Sequence, residues 1–139
     1  MKTCVVDASV IGAAHLREDY TDVAKELLAV TANLYAPDII DAEFANALWK
    51  RHRRGEMEAN EAQQLLKEVA FLPLRIVSCL ELASEALEIA IDTGRTVYDS
   101  LYLALAIQQK VKLITADKRF VNALAKSPYA KHIEWLGSL

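Results

Sequence analysis

The chain has only four glycines among its 139 residues, and no glycine-rich turn. A loop that cradles phosphate, of the dinucleotide-binding or P-loop kind, needs several glycines close together, so that class of nucleotide site is excluded. Cysteine is equally scarce. Cys4 and Cys79 each lie in or beside an apolar run without metal-ligand spacing. They read as buried free thiols, which suits a reducing cytoplasm. The three histidines, His15, His52 and His132, are scattered, which disfavours zinc. Long apolar runs are missing too, since Asp99 and Lys110 bracket the most apolar helix, and no membrane span is expected. Asp7 breaks the first apolar run before a signal-peptide core forms. A soluble, cytoplasmic protein is expected. An excess of positive charge is also lacking: 16 Lys and Arg stand against 19 Asp and Glu, for a formal net charge of −3. Binding to nucleic acid would therefore have to come from a local patch.

What the chain does have is apolar substance. Hydrophobic residues make up 53% of it, which argues against disorder and for one domain over residues 1–139. Strand-like runs fall at Thr3–Val6, Leu34–Ala36, Arg75–Val77, Lys112–Thr115 and Ile133–Leu136. Helical periodicity covers Thr21–Thr31, Asp38–Arg54, Asn60–Phe71, Leu80–Asp92 and Val97–Gln109, with a last short helix after Asp117. Val97–Gln109 is apolar nearly all round and is expected to be buried. Pro37-Asp38 opens one helix and Gly55 closes it after a basic run. Strands alternating with helices predict an α/β fold, a mostly parallel central sheet flanked by helices in a three-layer sandwich.

Four acids stand in places awkward for a charge. Asp7 ends the first strand and Asp117 follows the fourth, where open α/β sheets bind ligands. Glu43 lies within a helix on a partly apolar face with Asn46 and Ala47. Asp99 starts the most apolar helix. Each also has a plainer reading. Asp7 and Asp117 suit N-caps, and Glu43 suits a surface position. Thr96-Val97-Tyr98-Asp99 matches a capping box in which Asp99 reaches back to the Thr96 backbone. Asp38 and Asp41 read as N-cap and first-turn acids. Taken jointly, four converging carboxylates repel, and partial burial raises the cost of each charge. A hard divalent cation would neutralise them. An acid-only site with water left on the metal suits phosphodiester hydrolysis.

The segments Val5-Val6-Asp7-Ala8-Ser9, residues 37–48 with Asp38, Asp41 and Glu43, Tyr98-Asp99-Ser100-Leu101-Tyr102, and Leu113-Ile114-Thr115-Ala116-Asp117-Lys118-Arg119-Phe120 carry a family resemblance. In their order the chain resembles the PIN-domain ribonucleases, in particular the VapC-type toxins of toxin–antitoxin pairs, over essentially its full length. The resemblance implies a PIN-like fold and a Mg²⁺- or Mn²⁺-dependent endoribonuclease. It implies Asp7, Glu43, Asp99 and Asp117 as the catalytic and metal-binding set, with Ser9, Asn46 and Thr115 in support. It further implies a cognate antitoxin and a homodimer. Lys118 and Arg119, beside the last acid, and Lys50, Arg51 and Arg54, in the basic helix end, are candidate contacts to RNA phosphates. The basic run equally suits a solvated helix end complementing the macrodipole.

Other functions remain open at this level. A phospho-acceptor receiver domain needs an Asp at the end of a middle strand, and Arg75-Ile76-Val77-Ser78 offers none. A phosphatase with an Asp nucleophile wants a second acid two residues on, and position 9 is Ser. A non-catalytic binding or regulatory module, or a PIN-fold nuclease acting in RNA processing or on DNA, would keep the same acids.

Overall fold

The computed structural model describes residues 3–16 and 19–139. Its centre is a five-stranded sheet in which every neighbouring pair is parallel. The strands are β1 (Thr3–Val6), β2 (Asn33–Pro37), β3 (Leu74–Val77), β4 (Leu113–Thr115) and β5 (Ile133–Trp135), in the order β3-β2-β1-β4-β5. Parallel strands need crossovers, and helices supply them. They are α1 (Ala8–His15), α2 (Thr21–Val30), α3 (Ile40–Arg53), α4 (Ala59–Val69), α5 (Cys79–Thr93), α6 (Val97–Gln109) and α7 (Lys118–Leu124). The expected mostly parallel sheet flanked by helices is what forms. The strands have no antiparallel member. Among the described residues no helix is long and apolar enough to cross a membrane.

The composition of the central strands explains the layering. Cys4, Val5 and Val6 are fully buried, as are Leu113, Ile114 and Thr115. A strand buried on both faces needs cover on both. α1 packs on β1 and β4 and is backed by α2 and α3, while α6 packs on β1, β2 and β4 and is backed by α5. As its apolar composition predicts, α6 is buried continuously from Ser100 to Ala106. Cys4 is buried within this core and its thiol is pushed up to about 11 by desolvation; Cys79, half-buried, begins α5.

One local signal acts differently from expectation and a second acts as expected. Asp38 does not cap α3, whose first flanking residue is Ile39 and has no side-chain cap. Parallel pairing sets Pro37 beside Val77, so Asp38 lies next to the start of α5 and accepts the Cys79 N–H at 3.1 Å. Gly55, by contrast, ends α3 as its position suggests. It takes φ 75°, with the Glu56 N–H on the Arg51 carbonyl and the Gly55 N–H on the His52 carbonyl, the paired bonds of a Schellman closure.

The strand order fixes where a ligand site can form. From β1 the chain moves one way to β2 and β3, then returns to place β4 on the other side of β1. The reversal leaves a crevice outside the carboxyl ends of β1 and β4, the position at which open parallel sheets bind ligands.

Candidate metal centre and nucleic-acid cleft

Asp7 stands at that crevice, the residue after β1 and the N-cap of α1. It is only 9% exposed. Its Oδ1 accepts the Ser9 N–H at 3.1 Å, the Val10 N–H at 3.4 Å and the Ser9 hydroxyl. Its Oδ2 accepts the Thr115 hydroxyl at 2.6 Å. Thr115 Oγ1 in turn accepts the Asp117 N–H at 3.1 Å, and Ser9 Oγ accepts the Ala116 N–H at 2.8 Å. Ser9 and Thr115 thus tie the end of β4 to the end of β1. Burial pushes the Asp7 carboxyl up to about 6, against the pull of the Ser9 and Thr115 hydroxyls, and the charge of Asp99 adds to the rise.

Glu43 is half-buried in the first turn of α3. Its Oε1 accepts the hydroxyl of Tyr102, a buried residue of α6. Desolvation raises its pKa, the Tyr102 bond opposes the rise, and Asp99 again adds to it. The phenol itself is pushed far above its ordinary value by burial and by its acidic partner. Tyr102 stays a neutral donor.

Asp99 lies in the first turn of α6. Thr96 caps this helix by accepting the Asp99 N–H at 3.1 Å. The other half of the expected capping box is not made: the Asp99 carboxylate turns to Arg95, with Arg95 Nη2 at 2.9 Å from Asp99 Oδ2. Asp117 caps α7, its Oδ1 accepting the Arg119 N–H at 3.0 Å and the Phe120 N–H at 3.3 Å. Its Oδ2 lies 3.7 Å from the same Arg95 nitrogen. The two acids are 34% and 44% exposed.

The four acids therefore form a chain of electrostatic contacts: Asp7 and Glu43 each feel Asp99, and Asp99 shares Arg95 with Asp117. Among the described residues no three His, Cys, Asp or Glu side chains stand close enough to hold an ion as they are. Holding one would take side-chain movement; Asp99 and Asp117 are partly exposed. The donors are all oxygen, the chemistry that suits Mg²⁺ or Mn²⁺.

Beside Glu43 runs an open cleft of about 420 Å³, lined by Ala8, Ile39, Ala42, Asn46, Ala47, Lys50 and Tyr98 together with Glu43. Asn46 and Lys50 thus share the cleft with the acid. Arg51 does not: it pairs with Glu56 and lines another cleft beside His15 and Leu16. Arg54 is the exposed C-cap of α3. Lys118 sets its ammonium 4.4 Å over the Trp135 ring, and Arg119 is exposed. Sequence reasoning did not single out Arg95 or Tyr102 for a role. Both sit one helical turn from Asp99, at i−4 and i+3, and that spacing was the available signal.

The PIN-domain family model matches residues 4–125. A protein named Ribonuclease VapC3, from Pyrobaculum aerophilum, is 37% identical over 120 residues, covering 85% of this chain and 92% of that one. Another, named Exonuclease VapC9, from the same organism, is 31% identical over 133 residues, covering 95% of this chain and 91% of that one. The crystal structure of PAE2754 from Pyrobaculum aerophilum superposes with a TM-score of 0.72 at 27% identity, covering 99% of this chain and 85% of that one. With this match over most of its length, and with acids at the strand ends its topology sets together, the chain belongs to the PIN-domain family.

Proposed function

We propose that the chain is a divalent-metal-dependent endoribonuclease and the toxin half of a toxin–antitoxin pair, one nuclease domain over its whole length. The observation that supports this is the chain of electrostatic contacts that links Asp7, Glu43, Asp99 and Asp117, two of them held back from ionisation by burial. Charge of this kind is costly without a cation, and the all-oxygen donor set fits Mg²⁺ or Mn²⁺. Such an ion, when bound, supplies an activated water and stabilises charge on the phosphate.

The chain's own residues do the positioning. Ser9 and Thr115 fix both oxygens of Asp7. Tyr102 fixes Glu43 while staying neutral. Asn46 and Lys50 line the cleft next to Glu43, where a phosphate backbone would run, and Lys118 and Arg119 begin the helix capped by Asp117. The ribonuclease name of the 37% identical relative supports RNA as the substrate, and the VapC names support an antitoxin partner. Trp49 on α3 and Leu80, Leu87 and Ile91 on α5 are exposed apolar side chains that an antitoxin helix or a second copy would cover. The setting would be cytoplasmic.

Chelator-treated protein should leave total RNA intact, and added Mg²⁺ or Mn²⁺ should restore cleavage. Asp99→Asn should lose more than the roughly 10- to 100-fold typical of changes around a metal's ligands. A variant cleaving as fast as wild type would refute the site. Because one relative is named an exonuclease, a circular RNA is the decisive substrate: an endonuclease opens it, and an exonuclease leaves it closed.

A further inference from the structure

A cation already stands between two of the four acids, and it belongs to the chain. Its placement follows from local sequence. Gly94 ends α5 in the left-handed region at φ 76°, the Arg95 N–H donates to Thr93 Oγ1 at 3.2 Å, and Thr96 begins the cap of α6. Arg95 is thus launched four residues ahead of Asp99, with its guanidinium 4.8 Å over the Phe120 ring.

Several features set this arginine apart from a structural clamp. Asp99 and Asp117 are both met by the one terminal nitrogen Nη2, not by the two-pronged fork with which arginine locks a carboxylate. Arg95 Nε is buried and has no hydrogen-bond partner, so the seat leaves one donor unsatisfied. Both acids are partly exposed, which makes the pairing screened and exchangeable. Asp99, the closer partner, is also the acid whose charge reaches Asp7 and Glu43.

We propose that Arg95 is a tethered counter-cation of the metal-free site, one that a divalent ion must displace from Asp99 and Asp117, so that this residue sets the ion concentration at which the site loads. The inference rests on the four acids being the metal-binding set. By linkage the effect is reciprocal: the ion that is weakened by Arg95 must in turn loosen Arg95 from its acids.

The probe is Mn²⁺ alone, with free and bound ion distinguished by electron paramagnetic resonance in chelator-stripped, desalted protein. Arg95→Gln should bind Mn²⁺ about three- to tenfold more tightly than wild type, the range expected for removing two partly exposed ion pairs. Arg95→Lys, which keeps the charge but not the plane stacked on Phe120, should fall between wild type and Arg95→Gln. In a parallel titration with diamagnetic Mg²⁺, the Arg95 Nε–H resonance should shift as the ion loads. This arm needs no substitution that affects folding. Equal or weaker Mn²⁺ binding by Arg95→Gln would overturn the proposal, because the arginine would then be organising the acids for the ion. An Arg95→Lys protein as tight as Arg95→Gln would overturn it too, as would an Nε–H signal indifferent to Mg²⁺ at saturation. Wild type that binds no Mn²⁺ at all would instead sink the metal reading itself.

Discussion

Replacing Asp7 by Asn should stabilise the metal-free protein at neutral pH. The Asp7 carboxyl, ordinarily at 3.8, is raised to about 6 in the fold, first by desolvation. A carboxyl raised in this way binds its proton more tightly folded than unfolded. Stability is therefore greatest below the unfolded value and is lost as pH rises through 6. The full loss is about 3 kcal/mol, and about 1.4 kcal/mol of it falls between pH 5 and 8. Asn keeps a cap oxygen for the start of α1, where it ranks with Asp. Its amide nitrogen cannot accept from the Thr115 hydroxyl, which costs about 1 kcal/mol. The net expectation at pH 8 is a gain of about 2 kcal/mol. Urea melts in chelator at pH 5 and pH 8, on wild type and Asp7→Asn, measure it. Wild type should lose about 1.4 kcal/mol more than the variant between the two pH values. Glu43 titrates in both proteins and cancels in that difference. Parallel pH dependences in wild type and variant would refute the assignment of a raised carboxyl to Asp7, and with it the reason to expect a cation there.

Tyr102→Phe deletes the donor to a half-buried Glu43. It should cost about 1–3 kcal/mol in metal-free urea melts and move the Glu43 carboxyl further above its ordinary value, as followed by carboxyl ¹³C resonances. Thr115→Val removes a hydroxyl that donates to Asp7 and accepts from the Asp117 N–H. It should lower stability by a similar amount and raise the midpoint of the Asp7 titration above that of wild type.

The strands and the helices from α2 onward were legible because the apolar runs are short and β-branched where strands form, and periodic where helices form; α1, apolar and small from Ala8 to Ala14, carries no such period and entered only as the helix Asp7 would cap. The placement of Asp7 and Asp117 was legible too, since each follows a buried apolar run within two residues and so lies at the carboxyl end of a strand. Of the two readings the sequence offered for Asp7, the cap is what the structure shows, and it uses only one of the two oxygens. One oxygen caps α1 and the other meets β4. Asp38 went astray because its partner is 41 residues away, brought alongside by β2–β3 pairing that no local rule contains. The Asp99 half of the capping box failed for a nearer reason, in that a guanidinium four residues back offers more than a backbone N–H. Tyr102 and Glu43 are separated by 59 residues, and only the packing of α6 brings them together.

The bond from Thr115 to Asp7 spans 108 residues. At about 5–20 residues per second, the ribosome needs roughly 5–20 s after making Asp7 to reach Thr115. Until β4 pairs with β1, Asp7 lacks its Thr115 anchor and Asp117 is not in place. A product of premature termination short of residue 117 can therefore never assemble the constellation. For an enzyme of this proposed kind, the order of synthesis is itself a safeguard: activity must wait until residue 117 has been made.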